Sequence, residues 1–140
     1  MKPSSIPLQR AGQIAFAGLA FGVSACGGEA PEAASETIAV SITVCADACR
    51  TIDAVSAPRG GAVIDAMAAA RAAGRLDADW RGDGAMAFVT SIDGITAPVG
   101  DRYWLFWVDG AYACVGPGSH AIDDGAQIEW RLTSEGGSCS

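Results

Sequence analysis

Five cysteines and one histidine are the residues of this 140-residue chain best able to do chemistry: Cys26, Cys45, Cys49, Cys114, Cys139 and His120. With a single imidazole and the last four thiols available to pair with one another, no zinc set can be assembled. Cys45-Ala-Asp-Ala-Cys49 has one residue too many for the Cys-x-x-Cys of thiol oxidoreductases. Asp77, Asp79 and Asp83 lack the spacing and the closing Glu of an EF-hand loop, and Asp123-Asp124 read as turn formers rather than paired catalytic carboxylates. His120 lies in Gly-Pro-Gly-Ser-His, where a solvated loop side chain is expected. The chain contains neither a nucleophile elbow nor a phosphate-cradling glycine loop. The expectation is a protein that is not an enzyme and needs no cofactor or metal. The residue types that remain are aromatic: Asp101 to Gly116 holds two of the four tryptophans and both tyrosines.

Those aromatics must be positioned by strands. Asp109-Gly110 suits a two-residue type I′ hairpin turn, and counting outward from it sorts the flanking residues onto two faces. Val108 opposes Ala111, Phe106 opposes Ala113 and Trp104 opposes Val115 on one face. Trp107 opposes Tyr112, Leu105 opposes Cys114 and Tyr103 opposes Gly116 on the other. Large aromatics dominate cores, so Trp104 and Phe106 are read as core, and Tyr103, Trp107 and Tyr112 form the candidate ligand-binding set. A cross-strand Trp–Tyr pair also stabilises a ribbon without binding anything.

The rest of the chain supplies the frame. Ile38, Val40, Ile42 and Val44 alternate with smaller polar residues, and Arg50 to Ser56 resumes the pattern after Cys45–Cys49. In a hairpin closed by that cysteine pair, Ile42 opposes Ile52, Val40 opposes Ala54 and Ser41 opposes Asp53, a register that favours a Cys45–Cys49 disulfide. Residues 60–75 carry the one convincing helix: Val63, Ala66, Met67 and Ala70 share a side, Arg71 and Arg75 sit at its end, and Gly74 suits the stop. Residues 75–84 read as a loop, 86–92 as a strand ending at Asp93-Gly94, and Gln127 to Leu132 as a strand with Ile128, Trp130 and Leu132 inward. The fold class is α+β. If Cys45 and Cys49 bond, Cys114 is left for Cys139, and the stretch 133–139 reaches about 20 Å at roughly 3.3 Å per residue. It would then cover part of the Trp107–Tyr112 face or wall a shallow groove.

The N-terminal stretch has a separate logic. Lys2 and Arg10 precede a short apolar segment, Ala11 to Val23, that ends in small residues, the pattern of an export signal. Val23-Ser24-Ala25-Cys26 resembles the lipobox of bacterial lipoproteins, which implies a diacylglyceryl group on the Cys26 thiol and cleavage before it. The alternative is an ordinary secretory signal cut after Ala25, with Cys26 left free. Several acyl chains, at about 0.8 kcal/mol per buried CH₂, exceed the marginal hold of a single chain. Assigning Cys26 to lipid leaves four cysteines, an even number for an oxidising compartment. The expected organisation is a signal peptide over 1–25, a flexible tether over 26–37 and a domain over 38–140 with a disulfide-tethered tail. Gly27 rather than Asp after the cysteine resembles the outer-membrane sorting pattern, so the chain is expected on the cell envelope, at the outer membrane if the source is Gram-negative. With Lys2 and Arg10 removed, seven basic residues face sixteen acidic ones, a net charge of −9. That balance argues against nucleic acid and against electrostatic adhesion to anionic lipid.

The order hairpin, helix, then strands ending in Tyr103-Trp104 to Trp107, Asp109-Gly110, Tyr112-Ala113, Val115-Gly116 and Asp124-Gly125 before Ile128-Glu129-Trp130 resembles the bacterial transcobalamin-like C-terminal domain family. The resemblance runs from about Ile38 to Leu132. It implies a β-grasp-like fold, a mixed or antiparallel sheet of about five to six strands packed on one helix. It also implies a binding role, with a corrinoid first among small ligands. Joined to the lipobox, the expectation is a membrane-anchored extracytoplasmic module holding a small ligand, or a partner, on the Tyr103, Trp107, Tyr112 face. The alternative is a structural or protein-interaction envelope lipoprotein with no small-molecule ligand.

Overall fold

The structure, a computed structural model, describes residues 36–139; the expected signal peptide, most of the expected tether and Cys26 lie outside the described residues. Strand β1 (Thr37–Cys45) and strand β2 (Cys49–Pro58) form the expected antiparallel hairpin, with Cys45 opposite Cys49 and Ile42 opposite Ile52. Their disulfide is formed across a Cα separation of 4.1 Å.

Farther along the hairpin the expected register is corrected: Val40 opposes Val55, not Ala54, and the ladder shifts between Val40 and Ile42, so that Ser41 does not pair with Asp53. A bulge is responsible. Ala54 takes φ +54°, unusual for a residue with a side chain. The extra residue flips strand parity, which lets Ile52, Val55 and Ala57 all turn inward although the first two stand three positions apart. Arg75, just beyond the helix, donates to the Asp53 and Ala54 carbonyls at the bulge.

Helix α1 (Val63–Ala72) buries Val63, Ile64, Ala66, Met67 and Ala70. Its start carries no Ser or Thr cap. The free N–H groups are instead satisfied from a distant loop: Val63 N–H donates to the His120 carbonyl and Ile64 N–H to that of Pro117, each at 3.0 Å. The Asp65 carboxylate accepts from Ala62 N–H at 2.8 Å. At the other end Gly74, with φ +72°, reverses the chain as its position predicted.

The stretch 75–84 is not simply a loop, which corrects the sequence reading. Ala78–Arg81 forms β3, antiparallel to β4 (Phe88–Ile92), and β5 (Ile95–Thr96) follows a turn at Asp93-Gly94. Ala78 is buried and Trp80 lies beneath Arg71, whose guanidinium carbon is 3.8 Å from the ring centroid. Two inward residues in four were too weak a signal among so many Asp and Gly.

Strands β6 (Tyr103–Val108), β7 (Ala111–Tyr112) and β8 (Gln127–Thr133) complete a main sheet of order β2-β1-β8-β6-β7, with β1 and β8 parallel. Strands β3-β4-β5 form a second, smaller sheet, so the expected single sheet of five to six strands is two sheets of five and three. Inward residues of the main sheet, of α1 and of β4 belong to one buried cluster. Trp130 and Ile42 are its largest fully buried members, and the Trp130 ring packs on Phe106 at 4.8 Å. Trp104 bridges the two sheets: its Nε1–H donates to the Ile95 carbonyl at 2.9 Å. Arg50 and Asp93 do the same at the surface with two hydrogen bonds of 2.9 and 2.7 Å.

Candidate functional site

The turn at Asp109 and Gly110, with φ of +51° and +84°, is the type I′ reversal its residues require. It sets Val108 opposite Ala111 and Trp107 opposite Tyr112, as counted from the sequence. Asp109 has a second task, since its Oδ1 accepts Gln127 N–H at 2.9 Å and holds the start of β8. Asp124 acts alike on the other side of that strand, accepting Ala39 N–H at 2.8 Å.

Beyond Tyr112 the hairpin does not continue. Ala113 N–H still reaches the Phe106 carbonyl, but β7 ends at Tyr112, so the expected pairs of Leu105 with Cys114, Tyr103 with Gly116 and Trp104 with Val115 do not form. The chain is drawn aside toward the second sheet instead. Gly118 lies so close to Gly84 that no Cβ would fit, and Pro117 has no N–H to offer a ladder.

Tyr103, Leu105 and Trp107 share the outer face of β6, with Glu129, Arg131 and Thr133 of β8 beside them. Their exposures differ. Tyr103 is 45% exposed and Tyr112 half-buried, but Trp107 is 8% exposed. Trp107 is not beneath the helix. The Arg131 guanidinium carbon lies 4.0 Å over its ring, and Tyr112 meets it edge-on at 5.2 Å. Two hydrogen bonds to Glu129, of 2.8 and 3.0 Å, hold Arg131 in place. The bond from Arg131 keeps the Glu129 carboxyl below its usual range, against partial burial. Cys114 is bonded to Cys139, and the tail so fastened lies on Tyr112.

The early end of β7 leaves a gap between β6 and β4 that sequence reasoning missed. It is an apolar cleft of about 150 Å³ lined by Phe88, Val89, Trp104, Leu105, Tyr112, Val115 and Pro117, among others. Phe88 and Val115 stand at its rim, 52% and 51% exposed. Of the sequence candidates only Tyr112 reaches it. Phe88 opens a five-residue strand whose parity is ambiguous, and Val115 was assigned to a ladder that does not exist, so neither stood out. His120 does not line the cleft; its Nδ1 lies 3.0 Å from the Ala121 carbonyl and its ring is edge-on to Phe106 at 6.0 Å. A second apolar hollow of about 180 Å³ lies between the sheets against Val44, Ala46, Cys49, Ile95 and Trp104, and a polar groove on the outer face is lined by Ser41, Thr43, Thr51, Asp53, Gln127 and Glu129. Among the described residues no cluster of His, Cys, Asp or Glu is arranged to hold a metal, and no helix is long and apolar enough to cross a membrane.

Among the described residues, two unequal sheets and one α-helix surround a single core, with an apolar cleft at the edge of an aromatic hairpin, an α+β arrangement. Residues 60–134 match the model of a family described as a domain of unknown function, DUF4430, and the chain belongs to that family. Among solved structures, the crystal structure of haptocorrin in complex with Cbi is similar over 71% of this chain, with 21% identity and a TM-score of 0.56. The chain spans only 26% of that haptocorrin chain, and at this identity the likeness shows the fold alone. A crystal structure from Ruminococcus gnavus ATCC 29149, of a protein provisionally ascribed metal binding, is similar over 72% of this chain and 99% of its own. Its identity is 16% and its TM-score 0.48. No curated protein matches the chain significantly. Two disulfides belong to an oxidising compartment, in keeping with an exported protein.

Proposed function

We propose that this protein is an extracytoplasmic binding module without catalytic activity, held to the cell envelope by lipid on Cys26, that takes a small ligand at the edge of its aromatic hairpin. One observation carries the reading: Phe88 and Val115, each about half exposed, flank an apolar cleft that a monomeric domain has no structural need to leave open. A cavity near 150 Å³ holds one ring-sized apolar group. A larger ligand therefore seats an edge there and lies across the rim. The fold shared with haptocorrin, solved in complex with Cbi, supports a corrinoid as that ligand. Tyr112 walls the cleft and belongs to the hairpin face singled out by its sequence, with Tyr103 and Trp107 beside it as the flanking surface.

Trp104 lines the cleft, so titration with cobinamide should quench tryptophan fluorescence. Phe88→Ala and Val115→Ser should weaken that quenching about tenfold in concentration, the effect of roughly 1.4 kcal/mol of lost apolar contact. Quenching retained in both variants but lost in Trp107→Ala would place the ligand on the outer face instead. Absence of quenching, with stoichiometric recovery of an envelope protein on the purified chain, would favour an interaction lipoprotein with no small ligand. Lipidation is tested separately: labelled palmitate should enter the chain and be lost in Cys26→Ala.

A further inference from the structure

The Cys114–Cys139 disulfide joins residues 25 apart in sequence, with Cα atoms 5.7 Å apart. It fastens the segment 134–139 onto Tyr112. A Cβ on Gly136 would lie 2.6 Å from Tyr112 Cζ, and one on Gly137 would lie 2.5 Å from Tyr112 Cβ. Two consecutive residues without side chains let the backbone lie flat against the phenol ring. Little else holds the segment, since all six of its residues are exposed. Its own hydrogen bond is local, from Glu135 N–H to Thr133 Oγ1 at 3.1 Å.

We propose that residues 134–139 are a redox-fastened cover over Tyr112, the ring that meets Trp107 edge-on, released by thiol–disulfide exchange at Cys114–Cys139. A thiolate of an external dithiol attacks one of the two sulfurs, the S–S bond breaks, and the other cysteine leaves as a thiolate and takes up a proton. The second thiol of the dithiol then attacks the mixed disulfide. The dithiol ends as a disulfide and both cysteines as thiols. Both Cys114 and Cys139 are exposed to attack.

The other disulfide is poorly placed for this. Cys49 is exposed, but Cys45 is half-buried, with the Glu129 carboxylate 3.6 Å from its sulfur, where it repels a thiolate coming at that side. Its partner is only four residues away on a paired hairpin, so an opened Cys45–Cys49 pair recloses at high effective concentration. The reduced 134–139 segment has no such hold and leaves Tyr112. The Tyr112 ring and the edge of Trp107 then join the exposed Tyr103 in one aromatic stripe.

The test needs no ligand. The full chain is titrated with dithiothreitol, free thiols are mapped by alkylation and mass spectrometry, and tryptophan access is read by acrylamide quenching, with Trp107→Phe as the assignment control. Cys114 and Cys139 should become alkylated at a lower dithiol concentration than Cys45 and Cys49. Quenching should rise with them, and the rise should be missing in Trp107→Phe. Gly136→Val should produce the same rise with the disulfide intact, because its side chain pushes the segment off Tyr112. The proposal is overturned if Cys45–Cys49 opens first, or if the Cys114–Cys139 pair opens, or Gly136→Val folds, with no gain in Trp107 quenching.

Discussion

Substituting Gly118 by Ala tests how the cleft and the helix are held together. Gly118 has no left-handed φ, so an Ala meets no conformational penalty of its own. The obstacle is steric: the new Cβ would overlap the Gly84 carbonyl group and lie 3.3 Å from Gly84 Cα. Backbone cannot swing aside like the end of a long side chain, so the segment carrying Pro117 to His120 must move. That segment supplies the two carbonyls that receive Val63 and Ile64 N–H at the start of α1. Losing both hydrogen bonds removes about 1–3 kcal/mol, and the residual overlap adds about 1–3 kcal/mol, for a total of roughly 2–6 kcal/mol. Urea unfolding followed by tryptophan fluorescence measures the change, and amide exchange at Val63 and Ile64 reports whether the helix start has frayed. Gly94→Ala is the control. It has φ +80° and open space around it, so only the left-handed cost of about 1–2 kcal/mol applies, and α1 should stay protected. A Gly118→Ala protein destabilised by less than about 1 kcal/mol, with Val63 and Ile64 still protected, would refute the reasoning.

Asp124→Ala removes the acceptor of Ala39 N–H and should cost about 1–2 kcal/mol in urea unfolding, with faster exchange at Ala39 and at Ser41. The Glu129 carboxyl is depressed by Arg131, so the pair stabilises the fold above the unfolded carboxyl range, near pH 4.3, and that contribution is lost as pH falls through the lower folded value. Wild type should therefore lose more stability between pH 7 and pH 3 than Glu129→Gln; equal losses would remove Glu129 from the account. Trp130 is 1% exposed, yet its Nε1–H has no hydrogen-bond partner. Trp130→Phe should thus cost less than about 2 kcal/mol, since the cavity it leaves is offset by relief of a buried donor, whereas Trp130→Ala should cost about 3–5 kcal/mol.

Local signals carried much of the fold. Asp109-Gly110 admits one tight reversal, and with it the pairing of Trp107 with Tyr112 follows by counting. Alternation over Gln127 to Leu132 placed Trp130 inward, helical spacing selected four of the five buried residues of α1, and the hairpin register paired Cys45 with Cys49. The reading broke where a distant segment outvoted local pattern. The bulge at Ala54 arises because Val55 reaches the core only if parity flips, a demand of the core rather than of the strand. The strand at Ala78 is stabilised by its pairing to β4 and by Arg71 over Trp80.

The candidate site divides along the same line. By itself the sequence determined that Tyr103, Trp107 and Tyr112 share a face, because side-chain direction in a strand alternates and one turn sets its phase. Only the tertiary structure decided that Trp107 is sealed, since its cover comes from Arg131 on β8 and from Tyr112, which in turn carries a tail fastened 25 residues away. The cleft between Phe88 and Val115 is likewise tertiary: it exists because β7 stops early to let Gly118 meet Gly84, a contact between residues 34 positions apart that no periodicity records.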